Sequence, residues 1–274
     1  MFGALPVAAM DMTLVMAVLD PVWSLKPETA SRVRGRIEAV LDWARVRGHR
    51  EGENPARWKG NLALALPARD KVKPRGRHAA LPFKDMPACW TALAAREGAG
   101  AAALRFAILT AARTGEAIGA RWEEIAMANA MWTIPAARMK GAREHRVPLS
   151  TPALAILTAM EPEASGDVFP GARRDKPLSN MALLMTLRRM DRADLTAHGF
   201  RSTFRDWTAE RTNFPREVAE AALAHAIGDA VEAAYRRGDL FDKRRRLMEA
   251  WAAYCIAPVP ARGRRRRSLR ARRR

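Results

Sequence analysis

Apolar residues recur every three to four positions along most of this chain, a spacing that predicts a mainly α-helical protein. The first run, DMTLVMAVL from Asp11 to Leu19, is expected to stop at Pro21, because proline lacks the N–H that a helix interior uses. The next, PETASRVRGRIEAVLDWARVRG, places Val33, Ile37, Val40, Leu41 and Trp43 or Ala44 on one face and ends at Gly48. Its outer side carries Arg32, Arg34, Arg36, Arg45 and Arg47. Periodicity is lost over PARDKVKPRGRHAA (67–80), where proline, glycine and cations collect. Beyond it, helices are expected at 83–97 and 100–112. Short apolar alternations in WEEIAMANAMWTIPAARMKGAREHRVPLS then predict a small antiparallel β-sheet, with strands near 124–128, 131–135 and 145–149. The remainder is helical, at 151–160, 179–190, 196–210, 215–226, 229–237 and 240–255.

Charge changes this picture more than size does. The 274 residues are 49% hydrophobic, enough for a substantial core, yet the formal net charge is +19. That excess favours a polyanionic partner. Nine of the excess charges lie in the terminal ARGRRRRSLRARRR, which repels itself and is read as a disordered tail; a solvated charge run and a nucleic-acid arm both fit it. Cys89 and Cys255 stand far apart and no Cys/His cluster has metal-ligand spacing, so neither a disulfide framework, a metal nor a cofactor is expected. The apolar start is interrupted by Asp11 and Asp20 and is too short to cross a bilayer, so no membrane partner and a cytoplasmic location are expected.

Four stretches carry candidate chemistry. In TAHGFRSTFRDW, Thr196 is a good N-cap and His198 and Arg201 fall one turn apart, where free N–H groups and the helix dipole favour an anion. In LTAARTGEAIGARW, Arg113 with Glu116 three residues on is either an oriented phosphate ligand or a cap with a salt bridge. Lys140 falls in the last hairpin, where Gly141 supports the turn. In LAHAIGDAVEAAYRRGDLF, one helix runs to His225, and Asp229 with Glu232 starts a short new one that bears Tyr235 between the break and Gly238. The chain has two tyrosines. Tyr254 shares a face with Leu247 and Trp251 and is expected in the core, which leaves Tyr235 as the unusual one.

Arg113, Lys140, His198, Arg201, His225 and Tyr235 occur in the order and spacing of the tyrosine recombinases, and the wording of their segments resembles the P4-type phage integrases, over roughly residues 12–257. The resemblance implies a partial helical core-binding, DNA-binding domain (1–70), a linker (71–82), a tyrosine-recombinase catalytic domain (83–257) and the Arg-rich tail (258–274). It implies a metal-free and ATP-free site-specific recombinase. Tyr235 would attack the scissile phosphorus and form a 3′-phosphotyrosyl link. Arg113 and Arg201 would fork onto the non-bridging oxygens, Lys140 would protonate the leaving 5′ oxygen, His198 would accept the tyrosine proton, and His225 would hydrogen-bond the phosphate. Glu116 would support the site by orienting His198.

The implied partners are double-stranded DNA attachment sites, a homotetramer on that DNA, and accessory excision or DNA-bending factors. Arg32, Arg36, Arg45 and Arg47 of the basic helix, with Lys71, Lys73 and Arg75 of the linker, are the candidate DNA-backbone contacts. The arm-type domain and opening core-binding helix of full-length relatives are not found before Met12, so the chain is expected to be N-terminally shortened. Three rival functions remain on this evidence. A truncated DNA-binding remnant would keep the phosphate surface without recombining, a type IB topoisomerase shares the phosphotyrosine chemistry, and a basic RNA-binding protein fits the composition.

Overall fold

A computed structural model describes residues 3, 5–72, 79–160, 166–171, 176–225 and 238–258. Lys73, Arg75, the expected helix 229–237 with Tyr235, and the Arg-rich tail lie outside the described residues. The chain divides into two units, Met1–Arg77 and His78–Arg274.

In the first unit, the Asp11 side chain accepts the Leu14 N–H at 2.9 Å and opens α1 (Met12–Trp23). The helix passes through Pro21 rather than stopping there. The reason is tertiary: Trp23, in the added turn, is almost fully buried, stacks on Trp58 at 5.6 Å between ring centroids and donates its indole N–H to the Pro67 carbonyl at 2.9 Å. Burial of an indole outweighs one lost backbone hydrogen bond near a helix end. In α2 (Pro27–Val46), Ala30, Leu41 and Ala44 are buried, whereas Val40 and Trp43 are 58% and 57% exposed. The buried stripe is therefore narrower than the apolar pattern implies, and the small alanines face inward. Arg34 also departs from expectation. It turns inward, donating to Glu38 at 2.6 Å and to the Ala56 carbonyl at 2.9 Å. Arg32, Arg36, Arg45, Arg47 and Lys71 are exposed. Gly48, at φ +73°, ends the helix as expected, and the His49 N–H reaches the Ala44 carbonyl at 2.9 Å.

Among the described residues, the second unit is mainly helical with one small sheet. Its helices are α3 (Met86–Ala94), α4 (Ala99–Thr110), α5 (Thr114–Ile118), α6 (Thr151–Thr158), α7 (Ala182–Arg189), α8 (Gly199–Arg211), α9 (Arg216–Ala222) and α10 (Phe241–Ile256). The sheet is antiparallel in the order β1 (Ile125–Ala126), β2 (Met131–Ile134), β3 (His145–Pro148). Trp132 stands opposite both Ile125 and Val147, and Ile134 stands opposite His145. Helix α4 is buried on nearly every side from Ala101 to Thr110, the mark of a helix at the centre of a core. Trp251 of α10 packs on Phe204 and Trp207 and donates its N–H to the Ile108 carbonyl at 2.8 Å. Tyr254 belongs to the same layer, as its helix face predicts, with its hydroxyl donating to the Phe83 carbonyl at 3.1 Å.

Two contacts fix α8. A Cβ on Gly199 would meet the Ala79 carbonyl oxygen at 2.1 Å, so only glycine lets this helix start lie against the backbone there. One turn later, the Thr203 hydroxyl donates to the Leu81 carbonyl at 2.6 Å.

Candidate active site

Arg113 caps α5 and forms a salt bridge with Glu116, the second of the two readings of their spacing. One carboxylate oxygen of Glu116, which is 5% exposed, accepts the Arg113 backbone N–H at 2.8 Å, and the other accepts the guanidinium at 2.7 Å. The cap thereby orients the side chain, whose remaining Nη donates to the Ala224 carbonyl at 3.1 Å. Both oxygens of Glu116 thus engage Arg113, a pairing that local spacing allowed and the family resemblance had directed elsewhere.

Arg201 reaches the same place from α8. It is 5% exposed, donates to the carbonyls of Ala111 and, at 2.6 Å, Leu223, and lies 3.2 Å from His225 Nε2. His225 Nδ1 stands 2.6 Å from a Glu220 oxygen, and Arg205 donates to that carboxylate's other oxygen at 2.8 Å. With Nε2 facing a guanidinium that can only donate, these partners select the imidazole tautomer protonated on Nδ1. Burial opposes ionisation of Glu220, but the hydrogen bonds from His225 and Arg205 prevail and hold its carboxyl below the usual range. Burial, and next the neighbouring Arg113, push the Arg201 pKa down to about 10, against the pull of Glu116 and Glu220. It remains a cation near neutrality.

The backbone helps to build this site. Ala111 and Ala224 both take left-handed conformations, at φ +50° and +48°, which non-glycine residues adopt at a cost of about 1–2 kcal/mol. Their carbonyls are the ones taken by Arg201 and Arg113. The strain thus sits where the chain turns out of a helix to present an acceptor to a guanidinium.

His198 is half-buried at the start of α8, one turn ahead of Arg201. The N-cap position falls on His198 rather than on the expected Thr196, whose hydroxyl still accepts the Gly199 N–H at 3.0 Å in the turn before the helix. Lys140 is exposed in the β2–β3 connection, where Ala142 rather than Gly141 takes the left-handed conformation, at φ +49°. Tyr235 lies outside the described residues. Just beyond it, the Asp239 carboxylate accepts from Arg146 at 2.9 and 3.0 Å and from the buried Arg244 at 2.6 Å, tying this part of the chain to β3.

His145 is a site residue that the motifs did not single out. It opens β3 and is half-buried there, under the electrostatic influence of Arg113, Glu116 and Arg244. Burial, followed by the cations Arg244 and Arg113, lowers its pKa to about 4, against the opposing effects of Glu116 and the Ala222 carbonyl. The two-residue alternation that sends Val147 inward sends His145 the same way, a signal present in REHRVPLS. The unfolded chain, with an ordinary imidazole, binds this proton more readily than the folded one. Stability should therefore be retained above pH 6.5 and lost as pH falls from there towards 4. Denaturant titrations of wild type and His145→Gln across that window should give a steeper loss in the wild type.

Two guanidiniums and an imidazole from three elements thus meet around the carbonyls of Leu223 and Ala224. Among the described residues, no group of three His, Cys, Asp or Glu side chains is placed to hold a metal ion, and no helix is long and apolar enough to cross a membrane. The family model described as phage integrase central domain matches residues 1–61, and that described as phage integrase family matches residues 84–239.

The chain belongs to the phage integrase family.

Within this integrase family it is 35% identical over 245 residues to prophage integrase IntZ of Escherichia coli (strain K12), which covers 87% of this chain and 58% of IntZ. It is 32% identical over 251 residues to the integrase of Enterobacteria phage P4, covering 84% of this chain and 55% of that one. The integrase chain therefore spans a little over half the length of these relatives. A lambda integrase dimer bound to a COC′ core site shares the fold, with a TM-score of 0.58 at 19% identity over 86% of this chain and 82% of that one.

Proposed function

We propose that this chain is a site-specific DNA recombinase that cuts and rejoins strands through a tyrosine. The observation that carries the reading is the convergence of Arg113, Arg201 and His225 around the carbonyls of Leu223 and Ala224. A planar guanidinium pair suits the non-bridging oxygens of a phosphodiester, and each preorganised contact of this kind stabilises a transition state by about 3–4 kcal/mol. Tyr235 follows His225 closely in sequence and is the second tyrosine of a chain whose other one is committed to the core.

In this mechanism the Tyr235 oxygen forms a bond to the scissile phosphorus as the bond to the 5′ oxygen of the next nucleotide breaks. The phenolic proton passes to His198, and Lys140 supplies a proton to the departing 5′ oxygen. Arg113 and Arg201 neutralise charge on the phosphorane oxygens, His225 accepts from Arg201 and steadies it, and Glu116 holds Arg113 in register. Attack by a 5′-hydroxyl from another strand reverses the step, so the phosphodiester energy is kept in the phosphotyrosyl bond and no ATP is consumed.

The substrate is double-stranded DNA at attachment sites in the bacterial cytoplasm. The exposed Arg32, Arg36, Arg45, Arg47 and Lys71, with Lys73 and Arg75, contact its backbone. Solved relatives support the assembly: lambda integrase forms a dimer bound to a core site and a tetramer bound to a Holliday junction. A homotetramer on two DNA sites, joined by accessory excision or bending factors, is the matching assembly for this chain. The test is to incubate the protein with a nicked suicide substrate in EDTA. A covalent protein–DNA adduct, mapped to the peptide containing residue 235, is the expected outcome; tight DNA binding with no adduct points instead to a non-recombining remnant.

A further inference from the structure

Glu220 and His225 stand five residues apart, a spacing at which side chains of one continuous helix do not meet. The end of α9 brings them together. Ala224 takes the left-handed conformation, its N–H bonds the Ala221 carbonyl at 3.1 Å, and the His225 N–H bonds the Glu220 carbonyl at 3.0 Å. These are the two closing bonds of a Schellman turn. The chain is thereby folded back, and His225 Nδ1 arrives 2.6 Å from a Glu220 carboxylate oxygen. Against this turn lies α8, whose Arg201 and Arg205, one turn apart, share a face. Arg205 Nε donates to the other Glu220 oxygen at 2.8 Å. Arg201 Nη2 donates to the Leu223 carbonyl at 2.6 Å and lies 3.2 Å from His225 Nε2. One chain of hydrogen bonds thus links Arg205, Glu220, His225 and Arg201.

We propose that Glu220 is a positioning residue for Arg201, acting through His225: its carboxylate holds the imidazole in the Nδ1–H tautomer and so makes Nε2 an acceptor for the guanidinium. This inference rests on the phosphate-binding role proposed for Arg201. In the opposite tautomer Nε2 would point a proton at a group that can only donate, and the guanidinium would be pushed from the place that the Ala111 and Leu223 carbonyls define. The task needs a carboxylate. Both neighbours of Glu220 present N–H groups to it, and a carboxylate accepts with both oxygens, whereas an amide has one accepting and one donating end. Arg216 lies 3.8 Å from the oxygen that Arg205 uses, beyond hydrogen-bond range, and adds only charge.

The test uses the whole chain and two readouts. One is the protonation site of the His225 ring, read from long-range proton–nitrogen couplings in protein carrying isotope-labelled histidine, with His225→Asn assigning the signal among the five histidines. The other is single-turnover cleavage of the suicide substrate. Wild type should show His225 protonated on Nδ1. Glu220→Gln keeps the shape of the side chain. Its amide oxygen goes to Arg205, the charged and stronger donor, and its NH2 faces Nδ1, so the ring should switch to the Nε2–H tautomer. Cleavage should slow by about ten- to a hundredfold, the scale of a group misplaced by about an ångström, with affinity for uncleaved DNA within about twofold. Adding Arg205→Met frees the amide oxygen for Nδ1–H. The double variant should therefore regain the Nδ1–H tautomer and cleave within about threefold of Arg205→Met alone. Rescue by a second substitution sets positioning apart from packing, which two changes would damage more than one. The wild-type ring and the double variant decide the matter if the glutamine variant does not fold. The proposal is overturned by a wild-type ring protonated anywhere but on Nδ1 alone, by Glu220→Gln that keeps the wild-type tautomer or rate, or by a double variant that does not regain them. A wild-type protein that forms no adduct defeats the recombinase reading, while the ring tautomers still decide whether Glu220 sets His225.

Discussion

Tyr235→Phe should bind DNA as the wild type does and form no covalent adduct, whereas Tyr254→Phe should form the adduct at close to the wild-type rate. Removing one oxygen at residue 235 removes the proposed nucleophile and nothing replaces it, since water cannot leave a protein–DNA link. The expected loss is complete within the limits of a gel assay. Tyr254 is a sensitive control because its hydroxyl has a different occupation. It donates to the Phe83 carbonyl, and the ring lies against Trp207 and Trp251, with centroids 5.5 and 6.1 Å away. Burial pushes its pKa above the ordinary phenol value, the wrong direction for a nucleophile. Losing that hydrogen bond costs about 1 kcal/mol. The melting temperature of a unit this size should drop by about 2–4 °C. An adduct that survives at Tyr235→Phe, or disappears at Tyr254→Phe in a folded protein, would move the nucleophile elsewhere.

Arg201→Ala should fail twice, in rate and in stability. Loss of a preorganised contact to the phosphorane slows cleavage by about a hundred- to a thousandfold. The same guanidinium is also structural. It is buried and satisfies the Ala111 and Leu223 carbonyls while contacting His225. Truncation strands those acceptors, at about 1–3 kcal/mol for each that water cannot reach. Arg201→Lys restores a cation without the planar fork that spans these partners, so it should recover little of the rate. Single-turnover cleavage and thermal melts on both variants check the prediction. An alanine variant that melts with the wild type would show that the carbonyls find other partners.

The same doubling of roles explains what sequence reading reached. Arg113 with Glu116 three residues on could be a cap or a phosphate ligand, and local spacing cannot choose because the cap itself fixes where the guanidinium points. His145 was harder to see. The groups that act on it, Arg113, Glu116 and Arg244, come from distant segments, and the carbonyls that hold Arg113 and Arg201 leave no trace in residue identity. Side chains that meet side chains can form motifs, whereas those that meet backbone are found by tracing where each carbonyl goes.

Local chemistry, written in residue order, determined the succession of helices and the three short strands among the described residues, the helix end at Gly48, and the assignment of Tyr254 to the core. These depend on side-chain periodicity and on backbone preferences within a few residues, which a linear string contains. Tertiary contact decided the rest. It carried α1 through Pro21 for the sake of Trp23, chose Ala44 over Trp43 for the buried face, and set Ala142 rather than Gly141 at the hairpin turn. It also brought Arg113 and Arg201 onto two successive carbonyls just past one helix end. Burial energies of several kcal/mol override local preferences worth about one, and which surfaces are buried is known only once distant segments have met.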